Sequence, residues 1–156
     1  MATSSTATLL VVHHTSSPSL EAMLSAVLDG TRAEGIDGVD VVVKAALAGT
    51  AYDVLHADAI VLGTPANIGY MSGALKHFFD QIYYPCLAAT RAMPFGLYVH
   101  GNLDVVGAQR SVHAVATGLG WAPAHEDVTV VGEPNTAALH QCWDLGATLA
   151  AGCMPS

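Results

Sequence analysis

The chain has 156 residues, 52% of them hydrophobic and only 12% charged, where an average soluble domain carries about 25% charged residues. That length fits a single domain, residues 1–156, with a sizeable core, and an apolar, charge-poor composition excludes intrinsic disorder. Thirteen acidic against five basic residues give a net charge of −8, which argues against nucleic acid or an anionic membrane surface as a partner.

Apolar periodicity alternates between two kinds of segment along the chain. Thr8 to His13 is a short, nearly continuous apolar run, the pattern of a strand buried on both faces. Leu20, Met23, Leu24, Val27 and Leu28 then mark one face of a helix. Ser17 is the expected N-cap and Pro18 the first helical residue. Val39 to Val43 is a second β-branched run, and Val54 and Leu55 suit a short helical turn. Ala57 to Gly63 is a third strand. Tyr70, Met71, Ala74, Leu75, Phe78, Phe79, Ile82 and Tyr83 predict an amphipathic helix from Tyr70 to Tyr84. Phe95 to Val99 is a fourth strand. Val105 to Leu119 reads as a helix with Val112, Val115, Ala116 and Leu119 inward and Gly118 and Gly120 at its end. Asp127 to Val131 is a fifth strand. Leu139, Cys142, Trp143, Gly146 and Leu149 predict the inner face of a last helix.

Strands alternating with helices imply an α/β fold: a parallel sheet, right-handed crossovers and helices on both faces. Five such strands fit the doubly wound order 2-1-3-4-5, each strand buried on both faces. Ligands of such sheets bind beyond the carboxyl ends of the strands, beside strand 1. Three loops meet there: His14–Ser19, Thr64–Gly69 and His100–Asp104.

The first loop, His14-Thr15-Ser16-Ser17-Pro18-Ser19, leads hydroxyls and backbone N–H groups into a helix N-terminus, an anion site without Lys or Arg. Capping of a tight turn is the plainer use of the same residues. No GxxxxGK[ST] and no GxGxxG follows strand 1, which disfavours an NTPase and a Rossmann dinucleotide site. The second loop offers backbone amides and the apolar groups Ile68, Tyr70 and Met71 rather than charge, which suits a flat heteroaromatic ligand. In the third, Gly101 permits close backbone approach and Asn102 can pair with a pyrimidine-like edge. His100 is either a ligand contact or a strand-end histidine satisfied by backbone.

The stretch Gly63-Thr-Pro-x-x-x-Gly-x-Met-Ser-Gly-x-x-Lys-x-Phe-x-Asp-Gln81 resembles the ring-binding segment of flavodoxin-like flavoproteins. It is most similar to the NADPH-dependent FMN reductases and the tryptophan-repressor-binding-protein type of quinone oxidoreductase. The resemblance implies a three-layer flavodoxin-like fold with FMN at the carboxyl edge of the sheet. The FMN phosphate would rest on His14, Thr15, Ser16, Ser17 and Ser19. Its ring would lie between Thr64, Pro65, Ala66, Asn67, Ile68, Tyr70 and Met71 on one side and His100, Gly101 and Asn102 on the other. His100 would donate toward the N1–C2 region of the reduced ring. The first loop departs from the Ser/Thr-x-Thr-Gly-Asn-Thr pattern of the group: Ser17 and Pro18 stand where Gly and Asn are usual.

The implied activity is oxidoreduction: a hydride from NAD(P)H passes through FMN to a quinone, another flavin or a small electrophile. Tyr70 and His100 are the candidate catalytic contacts, and no side chain need act as acid or base. Two alternatives stand beside it: a flavodoxin-type one-electron carrier serving a protein partner, and a flavodoxin-fold protein that has lost FMN through Ser17-Pro18. A metal site is not expected, because His13 and His14 are adjacent on a strand and point to opposite faces. No HExxH, CxxC or GxSxG is present.

No stretch reaches the roughly 18–20 consecutive apolar residues of a membrane span. The N-terminus has neither a basic region nor a long apolar region, so no secretory signal is read. Cys86, Cys142 and Cys153 are odd in number and expected as free thiols. A cytoplasmic protein is the expectation. The apolar breadth of Tyr70–Tyr84, with Lys76, His77 and Asp80 opposite, points to a homodimer contact beside the ligand edge.

Overall fold

The computed structural model describes residues 5–156. Met1 to Ser4, part of the N-terminus read above as lacking a secretory signal, lie outside the described residues. The elements in chain order begin with β1 (Ala7–His13), in which Leu9 to Val12 are all fully buried. Ser17 caps α1 (Pro18–Thr31) by accepting the Leu20 N–H at 3.2 Å, and Pro18 is its first residue, as its fixed φ favours. β2 (Val39–Ala45) leads through a single 3₁₀ turn to α2 (Ala51–Leu55). There Thr50 and Asp53 form a reciprocal capping box. Next come β3 (Ala59–Asn67), β4 (Tyr70–Met71) and α3 (Gly73–Cys86). Then follow β5 (Pro94–Gly101), α4 (Val106–Leu119), β6 (Ala122–Pro123), β7 (Val128–Val131) and α5 (Thr136–Cys153). Gly120 ends α4 at φ 75°, a left-handed position where glycine carries no Cβ penalty.

The parallel sheet runs β2-β1-β3-β5, the first four positions of the expected order. The fifth position differs: it is shared by β6 and β7, which both pair with β5 along different parts of its length. The expected five strands are therefore seven among the described residues. Only the segment from Val128 was readable as a strand, because Ala122-Pro123 is too short to carry a period. β4 is the other addition. β3 does not stop at Gly63 but continues to Asn67, turns at Ile68-Gly69 and pairs antiparallel with Tyr70-Met71. Tyr70 and Met71 thus belong to a hairpin rather than to a helix, and α3 starts at Gly73 with Ser72 as its cap. Pro65 is tolerated inside β3 because β1 has already ended opposite Gly63.

Burial on both faces holds for β1, β3 and β5 but not for the outer strands: β2 is only partly buried and β7 alternates. Two apolar layers result. One joins β1, β3 and β5 to α2, α3 and α4, the other joins them to α1 and α5. On the second face α1 and α5 meet backbone to backbone. A Cβ on Gly30 would lie 2.0 Å from the Trp143 carbonyl oxygen, and one on Gly146 2.0 Å from that of Val27. This crossing corrects the expected inner face of α5. Cys142, Gly146 and Leu149 point inward with Leu145, while the Trp143 side chain is exposed and lies 6.1 Å from the His140 ring, parallel to it.

The apolar breadth of α3 is used largely within the chain. Phe78 and Phe79 are buried side by side, and Phe79 packs on Trp121. Among the described residues of α3, Tyr84 is the large apolar side chain left exposed. Among the described residues no helix is long and apolar enough to cross a membrane.

Candidate functional site

The three loops converge at the carboxyl ends of β1, β3 and β5, held by register. Thr64 pairs with Val99 and Pro65 with His100, so the second and third segments leave the sheet side by side. Gly101 is needed there: a Cβ would lie 3.0 Å from the Asp104 carbonyl oxygen and 3.2 Å from Ala66 Cβ.

The first loop presents donors. His14 N–H is spent on the Gly63 carbonyl at 3.0 Å, and the Ser17 hydroxyl oxygen on the Leu20 N–H. The backbone N–H groups of Thr15, Ser16, Ser17 and Ser19 have no partner among the described residues. They sit at the positive end of α1. His13 Nδ1 lies 2.7 Å from Thr15 Oγ1, which orients that hydroxyl. Burial, then the neighbouring His14, pushes the His13 pKa down. His14 Nδ1 is buried with no hydrogen-bond partner among the described residues. A buried, unmet ring nitrogen is costly and rare. A phosphate on the loop would satisfy it together with the free N–H groups.

The second segment is rigid below and strained above. Thr64 is fully buried; its hydroxyl donates to the Pro65 carbonyl (2.8 Å) and accepts from the Ser72 N–H (3.0 Å). Met71 is buried too, and its N–H donates to Ser111 Oγ at 3.1 Å. These two residues support the hairpin rather than face the edge. Asn67, Ile68 and Tyr70 are exposed on it. Ile68 has φ 49° and Gly69 φ 71°, the positive pair of a type I′ turn. For a β-branched residue that is a strained conformation, and Ile68 is fully solvent-exposed as well.

On the third segment, His100 is buried and its Nε2–H donates to the Gly132 carbonyl at 2.7 Å. That bond occupies the donor which the sequence reading offered to a ligand, so His100 acts as a strut between β5 and the β7–α5 turn. Asn102 is exposed, and Leu103 beside it is 93% exposed. Leu103 went unnoticed in the sequence, although a lone Leu between Asn102 and Asp104 fits no strand or helix period. The β7–α5 turn is also new to the site. An open cleft of about 550 Å³ lies between Pro18, Ser19, Asn102, Gly132, Glu133 and Pro134. Glu133 lines it and is exposed, and Asp104 is exposed on the third loop.

The edge therefore combines an uncharged donor cradle with two bare apolar side chains, Ile68 and Leu103, on neighbouring loops. That arrangement can hold a phosphomonoester at one end and cover a flat ring at the other. Three or more His, Cys, Asp or Glu side chains do not converge anywhere among the described residues. The thiols are not activated: burial pushes Cys86 up, Cys142 up to about 12 and Cys153 up to about 11.

No protein-family model matches the chain. It is 27% identical to a flavodoxin of Aquifex aeolicus (strain VF5), over 76% of this chain and 78% of that one. In structure it is similar to a flavodoxin from the domain Archaea (TM-score 0.78, 18% identity, 94% of this chain and 98% of that one). It is also similar to the flavodoxin, WrbA-like protein from Agrobacterium tumefaciens (TM-score 0.75, 20% identity, 95% and 98%). The chain has the flavodoxin-like α/β fold.

Proposed function

We propose that the chain is an FMN-binding oxidoreductase that takes electrons from NAD(P)H and delivers them to a quinone, another flavin or a small electrophile. The observation that carries the reading is the buried, unpartnered His14 Nδ1 in a loop of free N–H groups. The Gly63–Gln81 segment and the flavodoxin relative support FMN as the occupant. When bound, FMN supplies reversible two-electron chemistry that no side chain of this chain can provide. The protein binds and orients. Thr15, Ser16, Ser17 and Ser19 donate backbone N–H groups to the phosphate, and His14 adds its ring nitrogen. Pro65, Ala66 and Asn67 set the backbone along one edge of the ring and Gly101 and Asn102 along the other. Ile68, Tyr70 and Leu103 cover it and exclude water. His100 positions the third loop through Gly132.

A second reading, a one-electron carrier to a protein partner, gains from Glu133. It joins Asp104 at the edge, where the sequence showed one acid. Anaerobic addition of NADH or NADPH to the FMN-loaded protein separates the two. Prompt loss of the oxidised flavin absorbance supports the oxidoreductase. Flavin that stays oxidised with both nucleotides, yet is reduced by dithionite, supports the carrier.

A further inference from the structure

A second cleft, of about 520 Å³, opens on the other flank of the hairpin, between β4, α3 and α4. Its size is that of a small-molecule site, roughly 300–1,000 Å³. Gly69 and Tyr70 form one wall, Tyr83 another, and Arg110 stands at its rim. The Tyr83 phenol is held in place over Gly118, where a Cβ would lie 2.5 Å from its hydroxyl oxygen, and Tyr84 abuts its ring edge-on at 5.3 Å. Tyr70 is 42% exposed. Arg110 makes no ion pair or side-chain hydrogen bond among the described residues, and no acid lines the cleft. In a chain of net charge −8, an unpaired guanidinium on a cleft lined by two tyrosines is a local reversal of sign. The Ser111 hydroxyl is not available to a ligand as a donor, since it is spent on the Ala108 carbonyl at 2.8 Å.

A guanidinium fork matches a phosphate bidentately, and aromatic faces stack a planar base. We infer that this cleft anchors the adenosine-phosphate end of the nicotinamide nucleotide, with Arg110 on a phosphate and Tyr70 and Tyr83 against the base. The inference rests on the oxidoreductase reading for the identity of the nucleotide. It also explains the placement. Gly69 and Tyr70 belong to the same hairpin as Ile68, so a ligand anchored here reaches the covered ring by passing Tyr70.

The test is calorimetric titration of the full chain with adenosine 2′,5′-bisphosphate and with adenosine, for wild type, Arg110→Ala and Arg110→Lys. Arg110 is exposed, so both variants keep the core. The bisphosphate is expected to bind wild type, to lose about tenfold or more in R110A, and to recover part of that in R110K, which keeps the charge without the fork. Adenosine is expected to bind weakly and equally to wild type and R110A. Equal bisphosphate affinity in wild type and R110A, adenosine binding as tightly as the bisphosphate, or no bisphosphate binding to wild type at millimolar concentration would each overturn the inference. FMN titrations run beside these keep the two readings apart. Wild type that binds the bisphosphate but not FMN defeats the oxidoreductase reading, while the R110A comparison still decides whether the cleft is the anchor.

Discussion

A Cβ on Gly107 would lie 2.1 Å from the carbonyl oxygen of Gly69, so the first turn of α4 and the tip of the β3–β4 hairpin touch backbone to backbone. Neither partner in that contact can swing aside as a flexible side chain would. Gly107→Ala is expected to push the hairpin off α4, strain the Met71–Ser111 hydrogen bond and cost about 1–3 kcal/mol. Urea unfolding of G107A against wild type reads the cost. FMN titration should show weaker binding, because Ile68 and Tyr70 move with the hairpin.

Ile68 gives the opposite trade. Its φ of 49° costs a β-branched residue roughly 1–2 kcal/mol, whereas Asn visits that region readily. Ile68→Asn is expected to raise the stability of the FMN-free protein by about 1 kcal/mol and to lower its affinity for FMN, since the apolar cover is lost. Paired unfolding and FMN titrations check both signs. A variant that is no more stable would show that the turn carries no strain.

Tyr98 is fully buried in the α1/α5 layer, and its hydroxyl has no hydrogen-bond partner among the described residues. Its ring occupies the space that a side chain at position 63 would fill, with Cζ 2.0 Å from a Cβ on Gly63. Tyr98→Phe removes an unsatisfied polar atom at constant shape and is expected to stabilise by about 1 kcal/mol. Gly63→Ala collides with the ring and is expected to cost about 3 kcal/mol. Guanidinium midpoints of the two variants, moving in opposite directions from wild type, are the check.

Alkaline pH tests the buried thiols. Burial raises Cys142 from 9.0 to about 12. Burial, with the Asp58 charge adding to it, raises Cys153 to about 11. Tyr98 is raised in the same sense. Below about pH 9 both folded and unfolded chains hold these protons. Above it the unfolded chain alone releases them at first, so stability present at neutral pH is lost as pH rises. Unfolding free energy should be lower at about pH 10.5 than at about pH 8. The fall should be smaller in Cys142→Ala, and equal falls would remove Cys142 as a cause.

Much of the fold was legible in periodicity because β1, β3 and β5 are buried on both faces and α1 and α4 carry clean stripes and caps. Ser17, Pro18 and Gly120 sit where local chemistry alone places them. The hairpin was not legible. Ile68-Gly69 does not announce a type I′ turn, since the usual first residue is Asn, Asp or Gly, and Tyr70-Met71 continue the helical spacing of α3 by coincidence. β6 was invisible because two residues have no period. At the site, the structure places Pro18, Ser19 and Asn102 around one cleft. The sequence could not show that the His100 donor is taken by Gly132, a carbonyl 32 residues away. Leu103, Glu133 and Arg110 depend on tertiary placement in the same way.

The central claim is that the carboxyl edge holds FMN through an uncharged phosphate cradle. The most direct measurement is quenching of flavin fluorescence as the protein is titrated into FMN and, in parallel, into riboflavin, which has the ring without the phosphate. The cradle predicts saturable quenching of FMN with one site per chain, and riboflavin weaker by about tenfold or more, the scale of one or two charge-assisted hydrogen bonds. FMN that remains fluorescent in excess protein, or riboflavin that binds as tightly as FMN, would contradict it.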